Sequence, residues 1–138
     1  MKLVIAGSRS ISATAALRVL GEQWPSMPDL RWWRKPTHII SGGAPGVDRA
    51  AEVWARRLGI QPDVYLADWS RLGNRAGAIR NAEMAQLGDA LIAIWDGKSN
   101  GTKHMIAAMR QAGKPIEVID GPPPAQLAMP GFDRLPRR

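Results

Sequence analysis

The sequence predicts an α/β fold, with one parallel sheet sandwiched between two layers of helices. Three observations predict it: five short apolar runs, four helical segments alternating with them, and glycine-rich polar clusters that follow the runs. Strands of a parallel sheet are buried on both faces, so they read as nearly continuous apolar stretches.

The first strand is expected at residues 3–6, Leu-Val-Ile-Ala, and the others at 38–41, 63–66, 90–95 and 116–119. Helices are expected at about 13–20, 45–58, 75–87 and 102–112. In the second helix Val47, Ala50, Ala51, Trp54 and Leu58 share one stripe. Pro45 stands near its start and Gly59 at its end, the usual asymmetry of helix termini. Met105, Ile106 and Met109 mark one face of the last helix, which ends at Gly113. Alternation of this kind gives right-handed crossovers.

Residues 21–36 are less regular, with Pro25, Pro28, Trp24, Trp32 and Trp33. Two readings stand: a local excursion whose aromatics cap the core, or a subunit interface, where Trp and Arg are favoured. The domain is expected to span 1–120, and residues 121–138, which open Gly-Pro-Pro-Pro and end basic, form a tail.

The chain has 138 residues, enough for one ordinary domain, and 45% of them are hydrophobic. It contains no cysteine, which excludes disulfides, thiolate metal sites and a cysteine nucleophile. His38 and His104 are too few for a histidine metal cluster, so no metal and no resident cofactor are expected. No apolar run is long enough to span a bilayer, and the start reads as a strand rather than a signal peptide, so a cytoplasmic location is expected. The net charge of +7 suits anions in general, phosphates and nucleic acids alike.

The functional signal lies in the clusters. Gly7-Ser8-Arg9 follows the first strand, and Ser41-Gly42-Gly43-Ala44-Pro45-Gly46-Val47-Asp48 follows the second. Asp68-Trp69 follows the third, and Asp96-Gly97-Lys98-Ser99-Asn100-Gly101-Thr102 follows the fourth. All four fall at carboxyl ends of strands, the edge where open Rossmann-like sheets bind ligands. Glycine lets the backbone turn sharply and offer N–H groups to an anion, and a helix N-terminus adds partial positive charge. Arg9 is suited to fork a phosphate, and Thr102 to donate its hydroxyl. A Walker-type loop and G-x-G-x-x-G are both absent, which disfavours P-loop ATPases and ordinary dinucleotide dehydrogenases.

Asp48 and Glu52 lie four apart on one helix face and are the candidate catalytic acids, with Asp48 also suited to accept from ribose hydroxyls or to orient a neighbouring loop. Asp48 is also well placed simply as a first-turn acid. Arg80 and Asn81 are candidate pocket residues on the third helix. Trp69 and Trp95 are candidates for stacking on a base, against the commoner fate of filling a core. His104 reads as a helix-surface or pocket-rim residue.

These clusters in this order resemble the SLOG superfamily, named for the Smf/DprA and LOG proteins, and within it the YspA-like, cpYpsA-related branch. The resemblance runs from Ile5-Ala6-Gly7-Ser8-Arg9 through residues 41–48, Ala67-Asp68-Trp69, Gly73 and Arg80-Asn81-x-x-Met84. It ends with residues 90–97 and Gly101-Thr102, covering roughly 2–119. It implies a Rossmann-like five-stranded sheet of order 3-2-1-4-5, whose turns after strands one and four flank the ligand crevice. It also implies a nucleotide or nucleotide-derived ligand, such as ADP-ribose, NAD or a nucleoside phosphate, sensed or processed in phage- and plasmid-related systems. Relatives of this size are commonly homodimers or larger. LOG-type members are phosphoribohydrolases whose catalytic glutamate lies three residues after the glycine-threonine pair; here that position is Met105. The DprA-like members imply a further alternative, single-stranded DNA binding. The site expected from these arguments comprises Gly7, Ser8, Arg9, Ser41, Gly42, Gly43, Gly46, Asp48, Asp68, Trp69, Arg80, Asn81, Asp96, Gly97, Ser99, Gly101 and Thr102.

Overall fold

Successive residues of a strand point to opposite faces of its sheet, and the central strands here put apolar side chains on both. The structure is a computed structural model that describes residues 1–24 and 36–121. In β1 (Lys2–Gly7) and β4 (Ala90–Trp95), Leu3, Ile5, Ala90, Ile92 and Ile94 face one way. They pack with Ile39 of β2 (His38–Ser41) against α1 (Ala13–Gln23) and α2 (Val47–Arg57). Val4, Ala6, Leu91 and Ala93 face the other way, with Ile40 of β2. They meet Met84 and Ala85 of α4 (Ala76–Leu87) and Met105, Ile106 and Met109 of α5 (Asn100–Gln111). Two cores, one on each face, make the three layers.

The sheet is all parallel with order β3-β2-β1-β4-β5, as the resemblance implied. The chain winds outward from β1 to β3 (Asp63–Val64), returns across the sheet and winds out again from β4 to β5 (Ile116–Asp120). The reversal lies between β1 and β4, so the loops after these two strands part there and leave a crevice.

Most expected elements are present within a few residues, with differences at the edges. β3 is two residues long, because at the sheet margin the chain leaves after Val64; Leu66 is 73% exposed. A short helix, α3 (Trp69–Leu72), and a 3₁₀ turn (Gly73–Arg75) precede α4 and had no periodic signal of their own. α2 starts at Val47 with Gly46 as its cap, which leaves Pro45 outside the helix. Leu58 is exposed beyond the last turn of α2 rather than part of the buried stripe. Trp24 packs on Trp54 with ring centroids 5.4 Å apart, while Trp32 and Trp33 lie outside the described residues. So does the expected tail from residue 122 onward.

Candidate functional site

All four clusters, together with α4, contribute to the wall of one cavity of about 520 Å³ at the crevice. Of the residues expected at the site, Gly7, Ser8, Arg9, Asp48, Trp69, Arg80, Asn81, Asp96, Ser99, Gly101 and Thr102 line it. Ser41, Gly42, Gly43, Gly46, Glu52, Asp68 and Gly97 do not form its wall. A larger concavity, about 810 Å³, runs along the outer side of α4. Asp68 and Arg71 on that groove are exposed and paired with each other at 2.9 Å, which makes it a surface groove without a convergent polar site.

Two amides of the β2–α2 loop are satisfied by the protein's own side chains. Gly43 N–H donates to Ser41 Oγ (3.1 Å) and Ala44 N–H to Asp48 Oδ2 (3.2 Å), so both amides are already taken. Glycine is needed at position 42 because a Cβ there would stand 2.7 Å from Arg80 Nη1 and 2.8 Å from Asp48 Oδ2. The close approach anticipated for a ligand is made by the protein's own guanidinium and carboxylate. Glu52 is buried behind the loop, where its Oε2 lies 3.2 Å from Ser41 Oγ and its Oε1 3.7 Å from Arg49.

Arg80 ties this loop down. Its Nη1 donates to the carbonyls of Gly42 (2.6 Å) and Tyr65 (3.3 Å), and its Nε to Asn81 Oδ1 (3.1 Å). A guanidinium has five N–H groups. Among the described residues three are engaged, and those on Nη2 remain for the cavity. Asn81, buried, passes the tie on by donating to Gly101 O (3.1 Å) in the first turn of α5.

Asp48 is 6% exposed yet on the cavity wall. Burial pushes its carboxyl up to about 6 from an ordinary 3.8, because a charged carboxylate is poorly solvated there. The Ala44 amide and the charges of Arg80 and Arg9 pull the other way, and Glu52 adds to the rise. Among the described residues Asp48 and Asp96 are the carboxylates lining the cavity. They differ sharply. Asp96 accepts from Ser10 Oγ (2.7 Å) and from the amides of Ser99 and Lys98 (2.8 Å each), which hold its carboxyl well below the usual range.

Hydroxyl groups join the β1 and β4 loops. Asp96 N–H donates to Ser8 Oγ (3.0 Å), Ser8 Oγ lies 2.9 Å from Ser99 Oγ, and Ser99 Oγ donates to Thr102 Oγ1 (3.1 Å). Each hydroxyl has one proton. With the Ser99 proton directed to Thr102, Ser8 must donate to Ser99, and the Thr102 proton is left for a further acceptor. The amides of Asn100, Gly101 and Thr102 open α5 and so have no acceptor within the helix. Arg9, on the same cavity, is exposed, and among the described residues no hydrogen bond or ion pair engages it.

The remaining expected residues divide clearly. Asp68 caps α3, accepting from Arg71 N (3.2 Å), and its carboxyl is held low by Arg71. Trp95 donates Nε1 to Ser99 O (3.1 Å) and packs on the core, whereas Trp69 is exposed on the cavity wall. Met105 is buried on that wall, so the position where a LOG-type glutamate is expected does face the cavity, with a thioether. His104 lies at the wall beside Asn81. Ala6, Ser10, Ala44, Asn74, Gly77, Ala78, Met84 and Asn100 also line the cavity without being expected there; Ala6, Ala44, Met84 and Asn100 stand inside the quoted motifs and Ser10 follows one, whereas Asn74, Gly77 and Ala78 lie outside them.

Fold and cavity together define a Rossmann-like α/β protein with a cleft of mixed polar and apolar lining at the strand-order reversal. The chain belongs to the YspA, cpYpsA-related SLOG family, whose model matches residues 1–72. The resembling residues from Gly73 onward, including Arg80-Asn81 and Gly101-Thr102, lie beyond that match. The chain is also similar to the Gene 61 protein of Mycobacterium phage D29, 38% identical over 84 residues, which cover 56% of this chain and 67% of that protein. No solved structure matches. No helix among the described residues is long and apolar enough to cross a membrane.

Proposed function

We propose that the cavity binds a nucleotide or nucleotide-derived phosphorylated ligand, of the ADP-ribose, NAD or nucleoside phosphate class. The observation that carries this reading is that one cavity is lined by an unengaged Arg9, by the residues whose unpaired amides open α5, and by Thr102 with its hydroxyl proton to spare. A helix N-terminus facing an arginine is a strong environment for phosphate. Asp48, on the cavity wall and within electrostatic reach of both arginines, would accept from sugar hydroxyls. Membership of the SLOG family supports a nucleotide-related role. A cavity of this volume suits a small ligand better than a DNA strand.

Calorimetric titration with AMP, ADP-ribose, NAD, ribose 5-phosphate and inorganic phosphate tests the reading. At least one phosphorylated sugar compound is expected to bind, and Arg9→Ala to weaken it by about ten- to hundredfold, the worth of a charge-assisted hydrogen bond. Absence of binding across the panel ends the proposal.

One observation favours a second reading, hydrolysis of an N-glycosidic bond in such a ligand. Asp48, with its carboxyl raised to about 6, suits proton transfer near neutral pH. Water would add its oxygen to the sugar carbon as the base leaves with a proton, and Asp48 would stabilise the oxocarbenium-like transition state. Chromatographic detection of free base decides: Asp48→Asn is expected to abolish release and Glu52→Gln, off the wall, to retain it.

A further inference from the structure

A large aromatic side chain that is half exposed while lining a cavity is unusual, since indoles normally bury their area. Trp69 is 51% exposed and lines the cavity. It sits in α3, and the atoms that a Cβ at Gly77 would meet are Trp69 Cη2 at 3.2 Å and Cζ2 at 3.8 Å. The benzo edge of the indole therefore rests against the first turn of α4 at a residue with no side chain. Ala78 follows, also on the wall and small. Asn74, from the 3₁₀ turn between these helices, completes this flank; it is exposed and bears one amide donor group and one acceptor. Arg80 holds the flank to the β2–β3 side through Gly42 O and Tyr65 O. The phosphate-suited groups, by contrast, come from the loops after β1 and β4. Asp48, on the same cavity, is within electrostatic reach of both Arg80 and Arg9.

We propose that Trp69, Gly77 and Asn74 form the base end of the cavity: the indole stacks on a planar heteroaromatic base and the Asn74 amide pairs with that base's edge. Resting on the reading that the cavity holds a phosphorylated ligand, this names the ligand class as a nucleoside phosphate rather than a sugar phosphate. Gly77 sets the specificity by leaving room for the benzo edge of the indole against α4, since a side chain there displaces the ring from that seat. Trp95 cannot take this part, because its indole N–H is bonded to Ser99 O and its ring packs on the core.

The test is calorimetry on the full chain with AMP, GMP, CMP and UMP, and with ribose 5-phosphate as the ligand lacking a base. In the wild type at least one nucleotide is expected to bind tenfold or more tighter than ribose 5-phosphate. Trp69→Ala is expected to erase that advantage, about a ten- to hundredfold loss for base stacking, while ribose 5-phosphate affinity stays unchanged. Trp69→Phe keeps most of the advantage, and Gly77→Ala loses part of it. Equal binding of nucleotides and ribose 5-phosphate, or an advantage that survives Trp69→Ala, overturns the base end and leaves the phosphate site standing. Failure of every compound to bind removes both.

Discussion

Asp48→Asn is expected to make the unliganded protein more stable at pH 7 while weakening ligand binding. The carboxyl of Asp48 rises from 3.8 to about 6 on folding because burial disfavours its charge. A raised value means that the folded chain holds this proton more tightly than the unfolded chain does. The contribution is therefore fully present below pH 4 and is lost as pH climbs through 6. A rise of that size corresponds to about 3 kcal/mol. Asparagine keeps an oxygen for the Ala44 amide without the buried charge, so the variant's excess stability should grow from pH 4 to pH 7. Thermal melts of both proteins across that range measure the difference directly. Asp96, whose carboxyl moves in the opposite direction, is common to both proteins and cancels. Affinity should fall about tenfold or more if the carboxylate accepts from sugar hydroxyls. Parallel stability curves for variant and wild type would show that Asp48 is not desolvated.

Gly7→Ala should leave little folded protein. A Cβ on Gly7 would run into the carbonyl oxygen of Ile94 and stand 2.7 Å from Val47 Cγ2. Ile94 belongs to the central strand β4, paired in register with Gly7, and its oxygen also accepts from Ser8 N (3.1 Å). Val47 is fully buried at the start of α2. Neither neighbour has room to retreat, so strand and helix must separate. A loss of about 4 kcal/mol or more is expected, close to the whole stability of a marginal domain. Gly21→Ala is the matched control: it lies in α1 with nothing within 4 Å of its Cβ position. That substitution should stabilise by about 0.5–1 kcal/mol through helix propensity. Urea titrations followed by circular dichroism compare the two; a soluble Gly7→Ala protein of near-native midpoint contradicts the tight β1–β4–α2 junction.

Local patterning carried the architecture. Apolar runs such as residues 3–6 and 90–95 needed no partner to be read as buried strands, because a chain hydrophobic on both sides of a strand must be covered on both. The same logic sent the polar clusters to one edge of the sheet, and the loops after β1 and β4 do line the crevice there. Edge elements were less legible: β3 stops early and α3 follows it, since margins are shaped by what the next segment packs against.

From its sequence alone, then, this protein has its α/β alternation, its two-faced core and the edge on which its polar residues gather. Tertiary structure decided which of those residues are available to a ligand. Gly43 and Ala44 look free in sequence, yet Ser41 and Asp48 occupy their amides. Arg80 reaches Gly42 across 38 residues and Ser8 meets Ser99 across 91. Desolvation of Asp48 and exposure of Trp69 follow from such distant contacts. Hydrophobic periodicity is written in neighbouring residues, whereas hydrogen-bond partners and burial arise only when remote segments meet.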